Sequence, residues 1–216
     1  MQAHPIAVVP EQTADLHEEY LSFQEYLKRY ASVEGMRTEW NAGKVMQYPV
    51  SNNIKHLYIF QFVHLVLQLF LAGRKLGQVI PAAFPMYYAD DKPAREPDMM
   101  VILNTHLDRI KETYLDGVAD IAIEIVSPES DERDRGAKFV EYEAAGVPEY
   151  WLIDPLRQDA IIYALGEDNR YHRVALDAQG RAVSSLLPGF ALDPALLWRD
   201  AAPDALAIVE LVGKMS

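Results

Sequence analysis

The chain has 216 residues, half of them hydrophobic and 24% charged, an ordinary globular composition that can bury a core without disulfides or a structural metal. It contains no cysteine, which excludes zinc ribbons, thiol nucleophiles, iron–sulfur clusters and a disulfide-stapled secreted scaffold. Its net charge of −12, with a pI near 4.9, opposes tight non-specific binding to duplex nucleic acid, although a local cationic groove is compatible with that average.

Residues 1–15 carry Pro5 and Pro10 without periodicity and are expected to form a flexible N-terminal arm. The first twenty residues have no basic region and no sustained apolar run, so they do not read as a signal peptide, and a cytoplasmic location is expected. One domain is expected over 16–190, with 191–216 as an extension packed on it or trailing it. Leu16, Tyr20, Phe23 and Leu27 recur at helical spacing and predict a helix over 16–30, with Ser22 as an internal start signal. Asn41-Ala42-Gly43 between two alternating runs predicts a β-hairpin with a three-residue loop. Ser51-Asn52-Asn53 offer N-caps for a long helix reaching Arg74, and Gly77 marks its end or the connection beyond it. The most hydrophobic window, 54–71, is interrupted by Lys55, His56, Gln61, His64 and Gln68, so it reads as a buried helix and not a membrane span.

Strands are predicted over 78–88 and 97–103, separated by the charged turn Asp90-Asp91-Lys92-Pro93. A polar surface loop with a helical turn follows over 104–117, then a strand over 120–126. A helix over 131–145 is stopped by Gly146, with Pro148 just beyond, and Asp131 can cap its start. A strand over 149–153 and a hairpin pairing 160–165 with 171–176 come next, before an irregular C-terminal part rich in Pro and Gly. The expected fold class is mixed α/β (α+β), a mixed central β-sheet flanked by helices.

In the run DIAIEIV, alternation sends Ile121, Ile123 and Ile125 to one face and Ala122, Glu124 and Val126 to the other. Glu124 is the only charged residue inside that run, and a carboxylate there is paired, hydrogen-bonded or metal-bound if it is buried. Taken alone it also fits an edge-strand Glu or a buried ion pair. Asp98 opens another strand after Pro97, sharing a face with Met100 and Ile102, while Glu96 lies before the proline on a loop. If the two strands pair, Asp98 and Glu124 come within metal-bridging distance, and magnesium suits a few carboxylate oxygens plus retained waters. Asp98 also fits a simple turn former beside a proline. On the following helix Asp134, Arg135, Lys138 and Tyr142 fall three or four apart, whereas Ala137, Val140 and Ala144 form a separate small apolar stripe expected to pack. A solvated, salt-bridged face is the competing reading of those charges.

Pro97-Asp98, IEIVSPES from Ile123 to Ser130, DRGAKFVEYEAAGVPEYWLID from Asp134 to Asp154, and TEWNAGKV from Thr38 to Val45 together resemble the Uma-two family, over roughly residues 20–165. That is a large bacterial group of restriction-endonuclease-like proteins of the PD-(D/E)XK superfamily. The resemblance implies an αβββαβ core, magnesium or manganese as cofactor, and endonucleolytic hydrolysis of DNA. It implies Asp98 and Glu124 as metal ligands. The superfamily's lysine, normally two residues after the Glu, is replaced by Val126 here, and Lys138 on the next helix is its counterpart. That lysine would orient the attacking water, favour hydroxide and stabilise charge on the phosphorane. Glu39 matches a family acidic position and is a candidate extra ligand, and His56 is a candidate contact to phosphate or water. Arg135 could contact phosphate, or equally pair with Asp131 or Asp134. A homodimer is compatible with cutting two strands. The alternative is a non-enzymatic protein of the same fold that binds a partner, which the acidity and the displaced lysine favour. HExxH, GxSxG, GxGxxG and GxxxxGK patterns are absent, so no nucleotide cofactor is expected.

Overall fold

Three isoleucines on one side of a five-residue strand dictate where the main helix must go. In the computed structural model, which describes residues 20–30, 36–49, 53–128, 130–201 and 204–215, that strand is β8 (Ile121–Ile125). It lies inside a six-stranded sheet of order β11-β10-β9-β8-β6-β3. The other members are β3 (Gly77–Pro81), β6 (Met99–Leu103), β9 (Glu149–Asp154), β10 (Asp159–Leu165) and β11 (Tyr171–Arg173). β8 and β9 are parallel and the remaining neighbours antiparallel, so the sheet is mixed, as expected.

The long helix α2 (Ile54–Arg74) covers the isoleucine face. It buries Ile59, Val63, Val66, Leu67, Phe70 and Leu71 against Ile121, Ile123 and Ile125. Each such side chain taken from water contributes about 1.5–3 kcal/mol. Asn53 caps α2 by accepting from the Lys55 amide at 2.9 Å. Ser51 and Asn52 lie outside the described residues. The helix ends on Lys75 in the left-handed region, φ 55°, two residues before the expected glycine. Gly77 instead opens β3, where a Cβ would sit 2.2 Å from the Ile102 carbonyl oxygen. Among the described residues α2 is the one helix long and apolar enough to cross a membrane, and its apolar face is spent here on the sheet and on α5 (Ala205–Gly213).

The opposite sheet face holds Met100, Ile102, Ala122, Val126 and Tyr150 under Tyr142. Its cover is a helix broken into α3 (Asp131–Arg135) and α4 (Ala137–Ala145), where one continuous helix was expected. Gly136 makes the break: a Cβ there would meet the Glu132 carbonyl oxygen at 2.7 Å. The cap position is Ser130, not Asp131, whose side chain pairs with arginines instead. Gly146 stops α4 with φ 80°, as its place in the sequence predicts.

A smaller three-stranded sheet, β2-β1-β5, sits with α1 (Phe23–Tyr30) around Leu21, Tyr26, Trp40, Val45 and Ala94. Its strands are β1 (Met36–Asn41), β2 (Lys44–Pro49) and β5 (Pro93–Ala94). The hairpin turn has two residues, not three: Asn41 faces Lys44, and Ala42 and Gly43 take φ of 46° and 101°. Two positive φ values match the right-handed twist of the flanking strands, which a two-residue turn requires. α1 starts at Phe23 through a capping box in which Ser22 and Glu25 exchange hydrogen bonds of 2.8–3.3 Å. Tyr20 therefore lies outside the helix, with its ring against Gly43, while residues 16–19 fall outside the described ones. The rest is short: β4 (Met86–Tyr87) pairs with β7 (Leu115–Asp116), and β12 (Ala182–Val183) with β13 (Ala191–Leu192).

Candidate active site

Antiparallel register brings the two sequence-selected carboxylates together. β6 and β8 pair Met99 with Ile123 and Met100 with Ala122, so the next position outward sets Asp98 opposite Glu124. Side chains directly opposite each other have Cβ atoms roughly 4.5–5.5 Å apart. Asp98 precedes the first strand residue and accepts from the Ile125 amide at 2.7 Å through Oδ2. His56, in the first turn of α2, places Nε2 at 3.5 Å from the same oxygen. The positive end of the α2 dipole thus lies on the Asp98 side, which favours an anionic carboxylate.

Glu124 is 1% exposed, and its charge is answered from α4. The Lys138 ammonium lies 2.7 Å from Glu124 Oε1, and the Tyr142 hydroxyl donates to that oxygen at 2.8 Å. Lys138 also lies 3.1 Å from Asp134 Oδ1, one turn back. Asp134, Lys138 and Tyr142 are all but fully buried, at 1%, 1% and 0%. Spacing of four residues keeps them on one side of the helix axis. The place two residues after Glu124 is filled by the buried Val126, so the cation does arrive from the helix. Burial, reinforced by the Glu124 charge, pushes the Tyr142 and Tyr150 phenols well above their ordinary values. Both remain neutral hydrogen-bond donors. Tyr150 donates a hydrogen bond to the Asp134 carbonyl at 2.9 Å, tying the end of α3 to the strand.

A second ionic layer backs the first. Glu39, on β1 and wholly buried, takes Arg95 Nη1 at 2.7 Å. Arg95 grips Glu141 of α4 in a two-pronged pair at 2.7 and 2.8 Å. Burial works against the Arg95 charge, but the bonds to Glu141 and the charge of Glu39 prevail and hold its pKa above the ordinary value. Glu96 accepts from the Tyr26 hydroxyl at 3.4 Å. Arg95 and Glu141 were missed from sequence. The available signal was a lone arginine immediately before the acidic Glu96-Pro97-Asp98 stretch, which a nearby buried acid would explain.

Arg135 does not join this group. It pairs with Asp131 at 2.8 Å and closely with Asp154, and Arg157 bonds both aspartates. Of the two partners expected for Arg135, Asp131 is found and Asp134 is not. Asp131 is held below the usual carboxylate range, first by its bond from Arg157. Burial raises Asp154, but its hydrogen bonds from Arg157, Arg135 and Leu156 outweigh that and lower it. The structure thus gathers Asp98, Glu124, Lys138 and His56, links Glu39 to α4 through Arg95, and sends Arg135 elsewhere. Among the described residues, no group of three or more His, Cys, Asp or Glu side chains is arranged to hold a metal ion.

Comparison with known proteins adds an independent line. The model of the Uma-two family, described as "putative restriction endonuclease", matches residues 23–195. A crystal structure of a "putative nuclease belonging to DUF820" from Anabaena variabilis ATCC 29413 superposes with a TM-score of 0.65 at 20% identity, covering 82% of this chain and 97% of that one. The likeness to that structure is one of fold. A comparison with curated proteins finds no match.

Proposed function

The chain belongs to the Uma-two family of restriction-endonuclease-like proteins, and from that premise we propose that it is a divalent-metal-dependent endonuclease hydrolysing DNA phosphodiesters. The observation that carries this reading is the cross-strand meeting of Asp98 and Glu124 with the Lys138 ammonium 2.7 Å from Glu124. Two hard carboxylates suit magnesium or manganese, which are held by one or two such groups and keep several waters. When bound, the cation supplies Lewis acidity toward water and phosphate oxygens.

The protein side of the chemistry is then specific. Asp98 and Glu124 would hold the cation, each already oriented by protein donors. Lys138, gripped by Glu124 and Asp134, keeps a positive charge at a fixed point beside the carboxylates. A fixed cation in a water-poor site stabilises negative charge building on phosphate without reorganisation. His56, 24% exposed at its side chain and 3.5 Å from Asp98, is the candidate contact to phosphate or water. Glu39 acts through Arg95 on the seating of α4 and not as a ligand in its present pairing.

The test is a magnesium and manganese titration against plasmid and single-stranded DNA. Cleavage should appear with metal and fall on the order of 100-fold or more in Glu124→Ala. A Glu124→Ala protein that cuts at the wild-type rate overturns the assignment. A binding protein of nuclease fold is favoured by the net charge of −12 and by a lysine only 1% exposed. Intact protein that binds no divalent cation decides for that second reading.

A further inference from the structure

α5 is apolar on more sides than the chain covers. Ile208 and Val212 point into the core, while Leu206 is 81% exposed and Val209 53%. Leu206, Val209 and Gly213 fall three and four residues apart, so they form one stripe off the buried side. α2 is likewise apolar beyond what the sheet takes: 33% of its most hydrophobic window is buried inside the chain, and Ile54 and Leu57 are exposed. Of the eight large apolar side chains exposed among the described residues, four therefore stand on these two helices. Scattered singly they would mean little, but gathered on neighbouring helices they mark a surface that associates.

Between α2 and α5 runs a groove of about 440 Å³. Its apolar lining includes Tyr58 and Phe62 of α2, Leu211 of α5, and Leu196 from the helical turn at Pro194–Trp198. Its charged lining is formally neutral, with Arg199 and Lys214 matched by Asp204 and Glu210. Lys214 lies 2.6 Å from Glu210, and Asp204 caps α5 by accepting from the Leu206 amide at 2.9 Å. Neutrality singles this groove out on a chain of net charge −12, where like charge elsewhere opposes self-association. Two cations and two anions around an apolar floor are also met by the same set turned about a two-fold axis.

We infer that this face is where two copies of the chain associate, the Leu206–Val209 stripe of one copy lying against the groove of the other. A small molecule in the groove would leave the stripe in water, whereas a second copy supplies both halves at once. Apolar residues at the first, fourth and eighth positions are the anchors by which a helix enters such a groove. Association of this kind needs no cation and stands apart from the metal-dependent reading above.

Sedimentation equilibrium of the full chain tests this, on wild type, Leu206→Glu and Val140→Glu. Val140, on α4, is exposed as well, so the control adds the same charge away from the groove. Wild type and Val140→Glu are expected to dimerise alike, and Leu206→Glu at least about 30-fold more weakly, the scale of an interface hot spot. Wild-type protein that stays monomeric, a dimer undiminished in Leu206→Glu, or equal weakening in both variants overturns the assignment. Binding to phosphatidylcholine vesicles by wild type but not by Leu206→Glu would give the face to a membrane and overturn it too. Should Leu206→Glu fail to fold, amide hydrogen exchange of the wild type at low and high concentration decides. Protection in α5 that rises with concentration supports the dimer, and unchanged protection overturns it. None of these outcomes bears on whether Glu124→Ala cuts DNA, so the two readings fail separately.

Discussion

α2 and α4 cover opposite faces of the same strand, yet they bury opposite kinds of side chain. Under α2, β8 offers three isoleucines, and the helix answers with an apolar stripe from Ile59 to Leu71. Under α4, β8 offers Glu124, and the helix turns Lys138 and Tyr142 inward, joined by Asp134 of α3. Ala137, Val140 and Ala144 are left facing solvent, with Val140 62% exposed. The expected packing stripe of α4 is therefore its outer face. One carboxylate on a buried strand position decides the rotation of the helix above it, because an unpaired buried charge costs more than a few exposed small apolar groups save.

This contrast is broken first at Lys138. Lys138→Ala leaves Glu124 and Asp134 buried without their ammonium, which costs on the order of 3–5 kcal/mol. Urea denaturation measures it, and a loss below about 1 kcal/mol would show that the stripe is not an ionic core. Replacing the whole set with apolar side chains, as in Glu124→Leu with Lys138→Met and Asp134→Ala, should restore most of that stability. Buried ion pairs are close to neutral against well-packed hydrophobic substitutes. A stable but inert triple variant would show that the charges serve chemistry and not the fold. On the other face the expected loss is similar in size and different in cause. Leu67→Ala opens a cavity against β8 and costs about 2–5 kcal/mol by the same measurement. Metal affinity should change little, since Leu67 lies more than two helical turns from His56, the residue of α2 that approaches Asp98.

Acid probes the ionic side more gently. Asp131 and Asp154 are held below the usual carboxylate range by Arg157 and Arg135. A depressed carboxylate contributes stability that is complete above its unfolded value, about 3.9, and lost as pH falls through the folded one. Thermal midpoints should therefore drop as pH goes below about 4, and Asp154→Asn should flatten that drop. An identical acid profile in the variant would mean that the pairing of Asp154 with Arg135 and Arg157 adds nothing to stability.

How much of this was legible in the sequence follows from the same contrast. The sheet was readable because alternation in DIAIEIV and the proline before Asp98 are local signals, and β6 and β8 do pair, with Met99 opposite Ile123. Helix ends with their own chemistry were readable too, at Ser22, Asn53 and Gly146. The break at Gly136 was not, because it depends on a close approach to the Glu132 carbonyl. Arg95 was not, because its partners Glu39 and Glu141 come from a distant hairpin and helix. Periodicity gives a helix two faces, but which face is buried depends on what the strand beneath presents.

Val140 isolates that last point with the smallest effect. If apolar spacing alone decided burial, Val140 would pack with Ala137 and Ala144, and Val140→Gln would bury an amide without partners at a cost of about 1–3 kcal/mol. In the structure Val140 faces solvent, where a substitution away from any cap, core or charge changes stability by no more than about 0.5 kcal/mol. The straight side chain even favours the helix slightly over a β-branched one. Equilibrium denaturation of Val140→Gln beside Leu67→Gln should thus separate the two helices cleanly: near zero on α4, a severe loss on α2. A loss above about 1 kcal/mol at Val140 would mean that α4 turns its apolar stripe inward, and Lys138 would then be carried away from Glu124.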